Sequence, residues 1–444
     1  MIDRRQFMGA VAGATAVSLA TRPGLAQERN AQEAEGRDPI SDLTRRLNPQ
    51  IQASRDVALG ILKPSTAELD RGLKLHAESL VFDAYGFGPR AAIDSAGYAA
   101  ASEGGASDAE LQDLHEEMSM TRFATDAVQQ QEFRDAWRAS GVTCVFNNAG
   151  EEGQDPLRLL KRLARHTYTT DLLRGFVFKA AVPDDILTAK EEGRHCYYLT
   201  GNGVPLTQQW ISVEDELQYV RIFYQLGIRM MHLTYQRRNM IGDGSGEKSN
   251  SGLSDFGRRA IAEMNRVGVI PDCAHSGWQT SLEAAQVSSR PVVASHSACG
   301  DLYTHFRSKP DNVIRAIVDS GGYIGICCIP RFLGGRGDIH AFLDHIDYAI
   351  KKFGADAVAI GTDVGYTPQS PADSVEIPDR GKRRQGFRSL WPQDLFKTTQ
   401  EMKESMAFTN WPLFTIGLVQ RGHSDEVIRK ILGGNVQRVI EASI

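Results

Sequence analysis

Eight short runs of β-forming, largely apolar residues recur from residue 80 onward, and a stretch of helical character separates each from the next. They lie at 81–84, 142–147, 196–200, 230–234, 269–274, 291–296, 322–329 and 357–363. Near-continuous apolar strands alternating with amphipathic helices indicate a parallel sheet covered by helices. Eight such repeats are the number that closes an α/β fold into a (β/α)8 TIM barrel. A ninth apolar run at 175–181 competes with that count. With 444 residues, 41% of them hydrophobic, the chain has the material for such a core. We expect a single barrel domain over 76–444, preceded by an N-terminal arm over 27–75 with one helical stretch near 40–47.

Local signals support the helices. Ser212-Val213-Glu214-Asp215 reads as a helix start, and Gly227 as its stop. Thr280-Ser281-Leu282-Glu283 reads as another capping box. Phe342, Ile346, Ala349 and Phe353 form an apolar stripe that ends at Gly354. The Ala- and Gly-rich stretch 86–107 reads as a mobile lid or a long connection after the first strand.

The first 26 residues carry a different message. Arg4-Arg5 precedes a short, weakly hydrophobic run from Gly9 to Ala20, then Gly24-Leu25-Ala26. This pattern looks like a twin-arginine export signal, and its apolar run is too short to span a bilayer. The expectation is a periplasmic protein without a membrane span once the signal is removed. A net charge of −5 leaves no basic footprint for nucleic acid. Six scattered cysteines are too few for a disulfide scaffold, and the adjacent Cys327 and Cys328 read as buried free thiols.

Polar residues gather at the ends of the runs, where barrel enzymes build their sites. Asp83 and Tyr85 follow the first, Thr200 ends the third and Tyr235 follows the fourth. His275 follows the fifth, His296 ends the sixth and Asp363 ends the eighth. Two neutral imidazoles and a carboxylate over one opening suit zinc or a similar divalent ion. Asp243 and Glu247, in a Gly-rich loop, read as solvated carboxylates, with swinging in to a metal as the alternative; Cys273 reads as a buried small hydrophobe. Lys382-Arg383-Arg384, after the eighth strand, reads as a solvated charge run or an anion-attracting loop.

From residue 199 onward the chain resembles the membrane (renal) dipeptidase family of zinc metallopeptidases. The matching stretches are LGIRMMHLTY at 226–235, GLSDFGRRAIAEMNRVG at 252–268 and PDCAHSG at 271–277. PVVASHSA at 291–298, FRSKPDNVIRAI at 306–317, GADAVAIGTD at 354–363 and GGNVQRVIEA at 433–442 continue it in order. The resemblance implies a (β/α)8 barrel and a two-zinc site that cleaves dipeptides with a free C-terminal carboxylate. By it, His275 and His296 hold one zinc. Asp363 helps hold the other and serves the catalytic water, and Arg307 helps hold the substrate.

Other positions depart from the family pattern. Its first-strand Asp-x-His-x-Asp motif reads Asp83-Ala84-Tyr85-Gly86-Phe87, so both ligands for the other zinc are replaced. The bridging glutamate appears as Thr200, and a histidine that would polarise the scissile carbonyl appears as Tyr235. A phenol still donates a hydrogen bond to an oxyanion. The sequence reading is therefore a dipeptidase-like, metal-dependent hydrolase of a dipeptide or similar small amide, with one zinc ion or none. Its catalytic residues are Asp363 and Tyr235, its substrate contacts Arg307, Tyr85 and Thr200, and its metal ligands His275 and His296. The alternatives are a divergent barrel enzyme with a different reaction and a non-catalytic periplasmic binding protein. A homodimer is implied by resemblance.

Overall fold

The computed structural model describes residues 39–44, 47–150, 155–369 and 390–444. The leader and the basic run at 382–388 lie outside them. Among the described residues nine parallel strands follow in chain order. They are β1 (Phe82–Gly86), β2 (Cys144–Asn148), β3 (Val177–Lys179), β4 (His195–Gly201) and β5 (Ile228–His232). β6 (Ile270–Asp272), β7 (Ala294–Ser297), β8 (Ile324–Ile326) and β9 (Val358–Ile360) complete the set. Pairing runs β1-β2-β4-β5-β6 and β7-β8-β9.

Two junctions join these arcs. Asp272 bridges Val293 in parallel, with Cys273 N–H donating to Val293 O at 2.8 Å. At the other seam Asp363 N–H donates to Tyr85 O at 2.9 Å and Phe87 N–H to Val364 O at 3.1 Å. The ring is therefore an eight-stave (β/α)8 barrel. The competing run at 175–181 forms β3, which pairs with His195–Tyr197 of β4. β5 pairs with Leu199–Gly201 of the same strand. A short strand thus fills the lower part of one β4 edge without adding a stave.

Small residues make the narrow interior possible. A Cβ on Gly325 or on Gly361 would each come within 1.9 Å of Ser295 O. Ala359 and Ala294, on the neighbouring stretches of β9 and β7, are fully buried. The helix Ile339–Phe353 buries Phe342, Ile346 and Ala349 as its stripe requires. Ser212 caps Val213–Gln225 by accepting from Asp215 N–H. The capping box expected at Thr280 instead lies inside the helix Trp278–Val287, whose N-cap is Gly277. Thr280 there donates its hydroxyl to Asp243 O at 2.9 Å.

Two regions carry more helix than their composition suggests. The segment 39–78 holds Pro39–Thr44, Pro49–Leu62 and Thr66–Glu78. Buried Arg55 ties it down by donating to Ala139 O at 2.9 Å and Thr409 O at 2.6 Å. His76 bonds Thr415 Oγ1 and Ser140 O. The stretch 86–107 contains the helix Ser95–Glu103. Its start is pinned by Gly88 N–H on Asn147 Oδ1 at 2.7 Å and Arg90 N–H on Tyr366 O at 2.8 Å. All six cysteines are buried free thiols.

Candidate active site

β6 and β7 deliver the central pair of imidazoles at the C-terminal mouth. His275 sits in the turn after β6 and His296 within β7. Their Nε2 atoms converge to 2.9 Å. Burial, with Arg307 next in effect, holds both rings well below the ordinary histidine pKa, so both are neutral.

The tautomer of His296 follows from its neighbours. Ser295 Oγ spends its one proton on Asp272 Oδ2, so it accepts from His296 Nδ1–H at 2.8 Å. That leaves a lone pair on His296 Nε2, aimed at His275. An imidazole oriented through its other nitrogen by a hydroxyl and a carboxylate is the usual support for a metal ligand. Two nitrogens each ~2.0–2.1 Å from one ion stand about 3 Å apart. Aromatic faces hold both planes: Tyr85 stacks on His296 at 3.8 Å and Tyr235 on His275 at 4.0 Å.

Asp272 and His232 form the floor, and neither stood out in the sequence. Both lie inside the quoted matching stretches, yet they sit within strands where a core role was the simpler reading. His232 Nδ1 lies 2.6 Å from Asn202 Oδ1, and its Nε2 lies 2.8 Å from Asp272 Oδ2. Asp272 also accepts from Ala274 N–H and Ser295 N–H. Burial raises its carboxyl, but His232 and the Ser295 bonds outweigh that and hold it below the usual range. His232, Asp272 and His296 place donor atoms within 4.8 Å of one another. Asp272 is engaged by Ser295 and Ala274, while His232 Nε2 faces it at 2.8 Å and makes no hydrogen bond.

The imidazole pair could hold one divalent ion. His275 and His296 would hold it through Nε2. Of the positions that the resemblance assigns to the second ion, Tyr85, Phe87 and Thr200 present no anion, and Asp363 alone keeps a carboxylate. Tyr85 is stacked on His296, and the Phe87 ring lies 6.1 Å from Tyr85. Thr200 is fully buried and donates its hydroxyl to Met230 O at 3.0 Å. Asp243 is occupied by Arg238, Ser249 and Ser251.

Two charged groups complete the mouth. Arg307 is 1% exposed; it donates to Ala274 O, and its Nη2 lies 3.2 Å from His275 Nε2. Among the described residues no carboxylate forms an ion pair with it, and Asp363 attracts it only at longer range. Asp363 adopts φ +57°, a left-handed conformation uncommon outside glycine and typical of functional sites. Burial pushes its carboxyl up to about 6 against the pull of Arg307.

Residues 70–379 match the family model described as membrane dipeptidase, peptidase family M19. Dipeptidase tcpJ of Claviceps purpurea (strain 20.1) is 28% identical over 262 residues, covering 58% of this chain and 53% of its own. Dipeptidase verJ of Clonostachys rogersoniana is 27% identical over 226 residues, half of each chain. The match thus spans about half the length of these curated relatives. The crystal structure of an amidohydrolase from Pseudomonas aeruginosa superposes with a TM-score of 0.62 at 25% identity, covering 84% of this chain and 98% of that one. The chain belongs to the membrane dipeptidase family, peptidase family M19.

Proposed function

We propose that this protein is a one-metal hydrolase of dipeptides or similar small amides with a free carboxylate, acting in the periplasm after twin-arginine export. The observation that carries the reading is the pair of Nε2 atoms 2.9 Å apart beside a buried guanidinium that forms no ion pair among the described residues. A buried cation without a contacting counter-charge is costly unless a ligand supplies one. Arg307 therefore takes the substrate carboxylate. Tyr235, stacked on His275, offers a phenol to the oxygen on which charge develops. Asp363 takes the proton of the attacking water and returns it to the leaving amine. When bound, zinc on the imidazole pair supplies Lewis acidity at the scissile carbonyl. No helix among the described residues is long and apolar enough to cross a membrane.

The test is a panel of dipeptides offered to the zinc-loaded full chain and to Arg307→Met. The variant is expected to raise KM by about 10- to 100-fold with a smaller effect on kcat, the loss of a charged hydrogen bond made in both ground and transition states. Absence of turnover for every dipeptide by a zinc-loaded protein contradicts the reading.

A further inference from the structure

A described stretch of the connection that leaves β9 returns to the mouth. It spans residues 390–399 and carries Trp391, whose ring centroid stands 6.3 Å from that of Tyr235, the planes tilted by 51°. Tyr235 in turn stacks on His275 at 4.0 Å, and His275 Nε2 meets His296 Nε2 at 2.9 Å. Neighbouring rings thus lead from this strap to the imidazole pair. Trp391 is only partly buried, so some of its apolar surface stays accessible.

The strap is held at two places beside the site. Pro392 Cδ lies 3.6 Å from where a Cβ would stand on Gly246, in the loop after β5. Asp394 Oδ1 accepts Phe396 N–H at 3.0 Å, and Asp394 Oδ2 lies 3.4 Å from both His305 Nε2 and Arg331 Nε. His305 Nδ1 accepts Arg307 N–H at 3.1 Å. Burial holds His305 down to about 4, so the ring is neutral and its one proton sits on Nε2, toward Asp394. The histidine that fixes the Arg307 backbone therefore also anchors the strap. Trp391 reaches Tyr235, whereas the ring of Phe396 packs on Gly337 instead.

We propose that Trp391 is the apolar wall for the side chain of the substrate residue that carries the free carboxylate, so that dipeptides with a large apolar C-terminal residue are preferred. This rests on the assignment of Arg307 to the carboxylate and of Tyr235 to the carbonyl. Those two contacts confine the C-terminal residue to the space between Tyr235 and Arg307. The strap is attached beside both, through Trp391 at the first and through Asp394 and His305 at the second. An indole suits the role because its broad, rigid face gains from contact with aromatic and other apolar side chains.

Calorimetric titration of the full chain with N-acetyl-phenylalanine and with N-acetyl-alanine tests this without requiring turnover. The intact protein is expected to bind the phenylalanine derivative about 5- to 20-fold more tightly, the scale of partly burying one aromatic side chain. Trp391→Ala should erase that preference and leave binding of the alanine derivative unchanged, while Trp391→Phe keeps part of it. Arg307→Met should weaken both acids. Equal binding of the two acids by the intact protein, binding of neither, or a preference that survives Trp391→Ala overturns the proposal. So does an equal loss of both acids in Trp391→Ala, which would make Trp391 a support for Tyr235 only. A preference lost in Trp391→Ala, with both acids indifferent to Arg307→Met, supports Trp391 and removes Arg307 as the carboxylate site.

Discussion

Asp363→Asn is expected to lower kcat by about 10²- to 10⁴-fold, the usual contribution of a positioned general base. The amide is nearly isosteric and keeps the backbone bond to Tyr85 O, so the seam between β9 and β1 stays closed. It cannot take a proton from water. Substrate binding should therefore survive while turnover disappears. A carboxyl pushed up to about 6 is ionised above that value, so activity should rise as pH increases through about 6. Steady-state kinetics on both proteins check the point; an Asn variant with near-normal kcat would remove Asp363 from proton transfer. The same comparison separates an enzyme from a binding protein, which would be indifferent to this substitution.

The largest effect on stability is expected at Asp83. This fully buried carboxyl accepts Thr362 N–H at 2.8 Å, Thr362 Oγ1 at 2.5 Å and Tyr85 N–H at 3.3 Å. It therefore staples β1 to the end of β9, where the barrel closes. Asp83→Ala strands three buried donors and should cost about 3–5 kcal/mol, measured by urea denaturation. Asp83→Asn keeps one acceptor oxygen and should cost much less. Burial pushes the Asp83 carboxyl up to about 8. A raised carboxyl stabilises the fold below its unfolded value near 4, and that contribution is lost as pH rises through about 8. The Asn variant should flatten this alkaline decline. An Ala variant as stable as the parent would mean that the seam does not depend on this group.

The eight staves were legible because a strand buried on both faces must be apolar along its length, and the spacing between runs left room for one helix each. β3 was a genuine ambiguity: three residues of Val-Phe-Lys pair with β4 yet carry no polar tip at the mouth. The helices at 49–62 and 66–78 were harder to read, since buried Arg55 and His76 look like surface residues until their carbonyl and hydroxyl partners are seen. At the site, His275 and His296 could be anticipated as polar residues at neighbouring strand ends. Thr200 could also be placed at its strand end, but not the direction of its hydroxyl, which a backbone carbonyl consumes. His232 and Asp272 escaped because their meaning lies in partners distant in sequence. A lone His in an apolar strand says nothing until Asn202 and Asp272 flank it.

We propose that the two-ion centre implied by the family resemblance is here a one-ion centre on His275 and His296. Elemental analysis of the purified full chain, beside a His275→Ala/His296→Ala double variant, tests it most directly. One tightly held divalent ion per chain, absent from the variant, is the predicted result. Two ions per chain, or no ion above the level of the variant, would contradict it.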